Sequence, residues 1–251
     1  MIAVNKPYGM PSQPDKTYGL DLITAVKEYL YETAKTDKDE NEEGGEEPYL
    51  AIINRLDRPV AGIVLMAKDE ETAAKLSDMV QDREISKYYQ AVIRGSMKEP
   101  EGELSGYLLH DKKLNVSKMV PKGTKGAKKA ELYYEVLDEL DTDEGEISYL
   151  LIELLTGRHH QIRCQLADNG TPIWGDSKYG GNPDKASNKN ISKNSNKNSK
   201  NKASGSGSSK EKELGLFSTM MEFEHPVTGE MVTLHREPEG KAFDIMDQMD
   251  W

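Results

Sequence analysis

The chain has 251 residues, a formal net charge of −11 and a single cysteine, Cys164. It lacks both an apolar run of about 18 residues and a charged start followed by an apolar stretch, so we expect neither a membrane span nor a secretory signal. A lone cysteine excludes an internal disulfide and fits a cytoplasmic protein, and in an apolar segment it is more typical of a small core residue than of a nucleophile.

The charge is unevenly distributed along the chain. Residues 37–47 carry seven acids and one lysine, whereas residues 111–130 carry seven lysines and one acid. Residues 184–212 carry eight lysines and two acids. A net charge of −11 alone argues against a nucleic-acid partner, but clustering means that it does not describe the surface a partner meets.

The hydrophobic pattern predicts strands alternating with helices. Strands are predicted at the first residues before NKPYG and at 49–53, 61–67, 88–95, 103–109, 114–120, 129–138, 147–155, 216–224 and 230–235. Helices are predicted at 20–30, 70–80, 158–168 and 241–249, with Asp69 as the cap of the second. This order favours an α+β fold with a mixed, mainly antiparallel sheet and flanking helices.

Two polar segments interrupt this pattern. Residues 37–47 predict a mobile acidic loop, and residues 184–212, rich in Asn, Ser and Lys, predict a disordered insert because they have almost no apolar surface to bury. Neither needs to mark a domain boundary. We therefore expect one domain over residues 1–251.

The stretch NRLDRPVAG at 54–62 lies between two predicted buried strands, so its tip should project from a rigid sheet. An aspartate there, Asp57, has the chemistry of a nucleophile or a base. The alternative is a surface turn whose Arg–Asp pair contributes little. The residues alone leave both readings open.

The stretch LLTGRHHQIRCQLADNGTPIWGDSKYG at 154–180 predicts a strand that leads into a helix. Its polar side chains would surround the helix N-terminus, a position that favours anions such as phosphate. Adjacent histidines do not share a helix face, so a metal site at His159 and His160 is disfavoured. A plain polar helix face is the alternative.

In SKYYQAVIRG, Tyr88 and Tyr89 must point to opposite faces of one strand. One of them would be a core residue, or an aromatic surface against which a flipped base stacks.

Taken together, five stretches resemble the RluA family of RNA pseudouridine synthases. They are NKPYG, NRLD with AGIVLMAK, KYYQAVIRG, LLTGRHHQIRCQLADNGTPIWGDSKYG and FEHPVTGE, in family order from about residue 4 to 235. The resemblance implies an isomerase that converts uridine in RNA to pseudouridine, with a central cleft in its sheet domain. It also implies no cofactor and no metal.

The resemblance assigns roles to individual residues. Asp57 matches the essential aspartate, Tyr89 the active-site tyrosine, and Arg163 the arginine that pairs with the aspartate. Arg55 matches the arginine that enters the RNA helix when the uridine flips out. We further expect three residues of the GRHHQIR stretch to bind substrate: Arg158, His160 and Gln161.

The sequence departs from the family at three places. Asn54 replaces a histidine, Val60 and Ala61 replace two hydroxyl residues, and a histidine–alanine pair near FSTMMEF is missing. An S4-type RNA-binding domain is not expected. These departures bear on which RNA is bound, for which we expect 23S rRNA, with tRNA as the alternative. We expect the chain to act as a monomer.

Two other functions remain alternatives. One is a non-catalytic RNA-binding or ribosome-assembly protein on the same scaffold, which the presence of Asp57 disfavours. The other is a hydrolase that uses Asp57 with His159 or His160, for which no GxSxG-like element is present. For the synthase, Asp57 acts either as a nucleophile at C1′ of the ribose or as a base at C2′.

Overall fold

The computed structural model describes residues 1–15, 19–36, 47–142, 145–180 and 213–247. The predicted acidic loop at 37–47, apart from Glu47, and the predicted insert at 184–212 lie outside the described residues. Within those ranges, no helix is both long enough and apolar enough to cross a membrane.

Among the described residues, ten strands form one sheet with a single parallel pair, and this confirms the predicted α+β class. The order across the sheet is β1-β3-β9-β4-β8-β7-β5-β6, with β2 also on β3 and β10 also on β9. The parallel pair is β3 with β9. The strands are β1 (Ile2–Lys6), β2 (Ala51–Ile52), β3 (Ala61–Ala67), β4 (Ser86–Arg94), β5 (Glu101–Asp111), β6 (Val116–Val120), β7 (Lys128–Thr142), β8 (Gly145–Glu153), β9 (Leu216–Glu224) and β10 (Met231–His235).

In the described part of the chain, four helices cover the two faces of the sheet. They are α1 (Leu22–Thr36), α2 (Glu70–Asp82), α3 (Gln161–Asp168) and α4 (Lys241–Asp247). Asp69 caps α2 as predicted, since its carboxylate accepts the Thr72 N–H at 2.7 Å. Apolar residues of α1 and α3 join the largest core cluster, whereas α2 and α4 pack on separate clusters.

The central strand β3 shows how the sequence divides the core. Successive side chains of a strand point to opposite faces. Val64 and Met66 accordingly join the largest cluster with α1 and α3, while Ile63 and Leu65 pack with α2. A strand buried on both faces reads as a continuous apolar run, which is the pattern of AGIVLMA.

Gly62 permits the parallel contact between β3 and β9. Its φ is +115°, and a Cβ at this position would lie 2.3 Å from the Ser218 carbonyl oxygen. Only glycine fits such an approach of two backbones. The contact holds β9 beside the strand that follows Asp57.

One wrongly predicted boundary changes where the polar side chains of GRHHQIR lie. The helix expected at 158–168 begins at Gln161, because His160 has a left-handed backbone with φ 52° and ends the preceding turn. Residues 157–160 are therefore a loop, and this loop carries the polar side chains that were expected on a helix. The boundaries of the other elements differ from the predictions by a few residues.

Candidate active site

A cleft of about 1100 Å³ opens on the face of the sheet that carries α1 and α3. Its lining includes the turn at 54–60, the loop at 157–160 and the segment at 175–178. The charged side chains of the lining are mostly basic: Arg55, Arg58, Lys87, Arg158, Arg163 and Lys178 against Asp15, Asp57 and Asp176. A protein of net charge −11 thus has a cleft suited to a polyanion.

Asn54 fixes the start of the turn that carries Asp57. Its side-chain amide donates to the Ile63 carbonyl at 3.1 Å, and its side-chain oxygen accepts the Leu65 N–H at 2.7 Å. Through these two bonds, the Asn54 side chain continues the hydrogen bonding between β2 and β3 beyond the end of β2. The asparagine that stands in place of a family histidine therefore has a structural role here.

The first loop of the chain holds the turn from the other side. The Ser12 hydroxyl donates to the Leu56 carbonyl at 2.8 Å, and the Gly9 N–H donates to the Arg58 carbonyl at 3.0 Å. Arg58 returns a bond from its Nε to the Gly9 carbonyl at 2.9 Å. The residues on both sides of Asp57 are thus fastened to the loop that follows β1.

Lys6 is fully buried beneath these two loops. Its ammonium donates to the carbonyl oxygens of Pro7, Met10 and Arg58 at 3.1, 2.7 and 3.2 Å. Burial lowers the pKa of Lys6 to about 8, an effect that the nearby Asp57 carboxylate opposes. Lys6 lies in the NKPYG stretch, yet sequence reasoning gave it no role.

Asp57 lies in the cleft with its side chain 27% exposed. Its Oδ2 is 3.5 Å from Nη1 of Arg163 and 3.4 Å from Nε2 of His160. Burial raises the pKa of Asp57 above its usual value, and the positive charge of Arg163 opposes the rise. The contact with Arg163 was predicted for the synthase, whereas a pairing of Asp57 with His160 was considered only for the hydrolase alternative.

Arg163 makes its strongest contacts with a different carboxylate, Asp176. Nε and Nη2 of Arg163 donate to the two carboxylate oxygens of Asp176 at 2.7 and 2.9 Å, which is the forked arrangement of a bidentate pair. The Asp176 side chain has no exposed surface. Arg163 is therefore held by Asp176 and presents its remaining nitrogen, Nη1, to Asp57.

Tyr89 lines the cleft from β4, and its neighbour Tyr88 does not. Tyr89 is 6% exposed. Burial, with a smaller contribution from the Asp57 carboxylate, raises its pKa to about 12, so the hydroxyl stays protonated at neutral pH. Of the two tyrosines, the one chosen from the sequence pattern is the one beside Asp57.

The other predicted site residues line the same cleft in different ways. Arg55 is exposed and donates to the Gln13 side chain at 3.2 Å, and Arg158 donates through Nε to the Lys129 carbonyl at 2.9 Å. Gln161 is buried, where it accepts from the Thr156 hydroxyl and donates to the Glu131 carbonyl. Its amide thus holds the loop to β7, and substrate binding by Gln161 stays a prediction.

The two adjacent histidines do not form a metal site. His159 and His160 stack with their ring centroids 3.8 Å apart. Within the described ranges, no group of three or more His, Cys, Asp or Glu side chains is arranged to hold a metal ion.

A sequence model of the family described as RNA pseudouridylate synthase matches residues 1–168. The chain belongs to this family. The match includes the turn with Asp57, the strand with Tyr89 and the start of α3 with Arg163, and it confirms the resemblance drawn from the five stretches.

The names of two relatives refer to different RNAs. Ribosomal large subunit pseudouridine synthase C of Rickettsia bellii is 30% identical over 180 residues, which is 72% of this chain and 54% of that protein. The match thus spans about half the length of that relative. tRNA pseudouridine synthase C of Yersinia pestis is 26% identical over 261 positions, which cover 100% of this chain and 88% of that protein.

Two human structures share the fold. Human RNA pseudouridylate synthase domain containing 4 has a TM-score of 0.66 at 21% identity and covers 94% of this chain and 84% of its own. Human RNA pseudouridylate synthase domain containing 1 has a TM-score of 0.63 at 18% identity, with coverages of 94% and 79%. At these identities the likeness shows the fold.

Asp176 is the main site residue that sequence reasoning missed. It lies in GDSKYG, which contributed to the resemblance, but a single aspartate in a loop gives no local signal of its partner. Besides Arg163, its Oδ1 accepts the N–H groups of Lys178 and Tyr179 at 2.9 and 3.0 Å. Two backbone bonds two and three residues downstream are the mark of an Asx turn, and DSKYG is compatible with one.

Proposed function

We propose that this chain isomerises uridine in RNA to pseudouridine, with Asp57 as the catalytic carboxylate. The observation that carries the proposal is the placement of Asp57 in a basic-lined cleft, beside Tyr89 and an arginine fixed by a second carboxylate. Membership of the family supports the reaction class.

The reaction is balanced within the nucleotide. The bond between N1 of uracil and C1′ breaks, the base turns, C5 bonds to C1′, and the proton lost from C5 is matched by one gained at N1. Asp57 must be ionised, either to attack C1′ or to remove a proton at C2′. Arg163 favours the ionised form of Asp57 against the cost of burial.

Tyr89 and Arg55 serve the base and the RNA helix in this proposal. The ring of Tyr89 offers a surface on which the detached uracil stacks. Since its pKa is raised to about 12, Tyr89 acts as a phenol rather than as a phenolate base at neutral pH. Arg55, exposed at the cleft, occupies the space that the flipped uridine leaves.

Large-subunit rRNA is the proposed substrate, and tRNA is the second candidate. The 30% identity with the Rickettsia rRNA enzyme favours the first, and the match of the whole chain with the Yersinia tRNA enzyme favours the second. Pseudouridine mapping of total RNA from a strain that lacks the chain and from its parent separates them. One uridine should lose its modification, in rRNA for the first candidate and in tRNA for the second.

The same mapping tests the activity itself. If every pseudouridine persists in the deletion strain, the purified chain is then assayed for tritium release from RNA labelled at uridine C5. RNA binding without tritium release from any candidate RNA would contradict the proposal and favour the non-catalytic RNA-binding protein.

A further inference from the structure

His160 lies between Asp57 and a tyrosine that the proposed reaction does not use. Nε2 of its ring faces Asp57 Oδ2 at 3.4 Å, and Nδ1 lies 2.9 Å from the hydroxyl oxygen of Tyr179. The ring is 8% exposed and is held flat against His159, with Tyr179 edge-on at 5.6 Å. One ring nitrogen of His160 thus meets a carboxylate, and the other meets a hydroxyl.

The hydrogen-bond directions follow from the Tyr179 hydroxyl. The backbone N–H of Ser117, on β6, donates to this oxygen at 2.7 Å, so the oxygen is already an acceptor. Its own proton has Nδ1 of His160 within reach at 2.9 Å, and in the proposed arrangement Nδ1 accepts it. A neutral imidazole that accepts at Nδ1 carries its proton at Nε2, the nitrogen that faces Asp57.

His160 is neutral in this setting. Burial, together with the positive charges of Arg163 and Lys178 and the neighbouring His159 and His110, lowers its pKa to about 2. Its contact with Asp57 is consequently not an ion pair. What reaches Asp57 is the positive end of an N–H dipole.

We propose that Tyr179 and His160 are positioning residues that act on Asp57. Tyr179 selects the Nε2–H tautomer of His160, and the Nε2–H then stabilises the ionised Asp57 carboxylate and fixes its orientation. The other tautomer would place a lone pair against the carboxylate oxygen, which is repulsive. The part of the proposal that concerns catalysis rests on the proposed function.

The Tyr179 hydroxyl is itself placed by the rest of the site. The backbone N–H of Tyr179 donates to Asp176, the same carboxylate that holds Arg163. Asp57 thus receives two groups, the Arg163 guanidinium and the His160 N–H, whose positions both depend on Asp176. His160, predicted from the sequence to bind substrate, also contacts the proposed catalytic carboxylate.

The tautomer can be observed without any turnover. Long-range proton–nitrogen correlation spectra of the ¹⁵N-histidine protein report which ring nitrogen carries the proton. We expect the wild type to show Nε2–H at His160 and the Tyr179→Phe variant to show a mixture or the Nδ1–H form. A wild-type spectrum with Nδ1–H, or an unchanged spectrum in Tyr179→Phe, would overturn the proposal even if the chain proves not to be a synthase.

The kinetic test compares two replacements of His160. Glutamine extends an amide to the position of Nε2 and so keeps a donor for Asp57, whereas asparagine reaches only the position of Nδ1. Asparagine also suits the left-handed backbone at this residue better. We expect His160→Gln to retain more activity than His160→Asn, although the asparagine variant should be at least as stable.

Tyr179→Phe should lower kcat/KM on the order of tenfold, the equivalent of one pKa unit of interaction. Without a fixed Nε2–H donor the ionised form of Asp57 is less favoured, so the acid limb of the pH profile should move to higher pH. The other charged groups that face Asp57 are unchanged in this variant: Arg163, Lys178, Asp176 and Lys6. Tyr134→Phe, which removes a buried hydroxyl from β7 outside the cleft, is the control and should leave both quantities unchanged.

Two results would contradict the kinetic part. One is equal or higher activity in His160→Asn than in His160→Gln, which would indicate a structural role alone. The other is an unshifted pH profile in Tyr179→Phe. A wild type with no activity on any RNA would instead contradict the proposed function, and the nitrogen spectra would still decide the tautomer.

Discussion

The two carboxylates beside Arg163 differ in their exposure to solvent and in their hydrogen bonds. Asp176 is fully buried and accepts two short bonds from the guanidinium, whereas Asp57 is 27% exposed and meets one nitrogen at 3.5 Å. Asp176 also accepts two backbone N–H groups. The hydrogen-bonding capacity of Asp176 is used within the protein, whereas Asp57 has room for a ligand.

This difference separates support from chemistry in the cleft. If Arg163 formed a bidentate pair with Asp57, it would occupy both carboxylate oxygens and block the approach of a substrate. Because Asp176 takes the fork, Arg163 is fixed in place and supplies charge to Asp57 without occupying both of its oxygens. Asp57 therefore stays open to a ligand, which in the proposed reaction is the ribose, while the cost of its burial is partly offset.

Removing Arg163 should break this arrangement most severely. Arg163→Ala leaves two carboxylates without their counter-charge, one of them fully buried, so we expect the free energy of unfolding to fall by about 3–5 kcal/mol. Turnover should fall as well. Arg163→Lys should recover stability in part, since lysine keeps the charge but cannot form the fork.

Denaturant unfolding and initial rates of tritium release measure both effects. Arg94→Ala, at an exposed position on β4, is the control for loss of one arginine. Full activity and full stability in Arg163→Lys would show that the bidentate pair with Asp176 is unimportant.

Arg55 tests the exposed side of the cleft. Unstacking and flipping a paired uridine costs a few kcal/mol, and Arg55 is proposed to offset part of it. Arg55→Ala should therefore slow turnover of a structured RNA hairpin more than that of a short unstructured oligonucleotide. An equal loss on both, with Arg94→Ala unaffected, would indicate that Arg55 supports the turn through Gln13 rather than opening the RNA.

The smallest predicted effect concerns Lys6, beneath the turn. Its folded-state pKa, about 8, is below the value of 10.5 expected when it is unfolded, so the unfolded chain binds more protons between these pH values. Unfolding free energy should rise with pH over this window, by at most about 3 kcal/mol, and this contribution is lost as pH falls to 8.

Lys6→Met removes the titrating group while keeping the length of the side chain. The difference in unfolding free energy between wild type and Lys6→Met should shift in favour of the wild type from pH 8 to 10.5. Parallel pH curves for the two proteins would contradict a lowered pKa at Lys6.

Much of the fold is predictable from this sequence, and the reason is visible in β3. Its apolar run follows the 54–60 turn and is typical of a buried strand, and Asp69 after it is typical of a helix cap. The start of α3 was not predictable, because nothing in GRHHQIR indicates that His160 adopts a left-handed backbone. That geometry comes from tertiary contacts of the loop.

The same division holds for the site. Asp57, Tyr89 and Arg163 were found through motifs, and all three line one cleft. The motifs do not tell which carboxylate takes the fork of Arg163, nor that Lys6 is buried under the turn. Asp176 lies 13 residues from Arg163, and Arg58 lies 52 residues from Lys6, and both contacts become evident only from the packing.

The most direct test of the account is turnover by Asp57→Asn. Asparagine matches the shape of aspartate but acts neither as a nucleophile nor as a base. The variant should bind RNA with wild-type affinity, unfold at the same or higher denaturant concentration, and release no tritium from RNA labelled at uridine C5. Asp82→Asn, on the exposed surface of α2, serves as the matched control and should react like the wild type. Substantial tritium release by Asp57→Asn would contradict the assignment of Asp57 as the catalytic carboxylate.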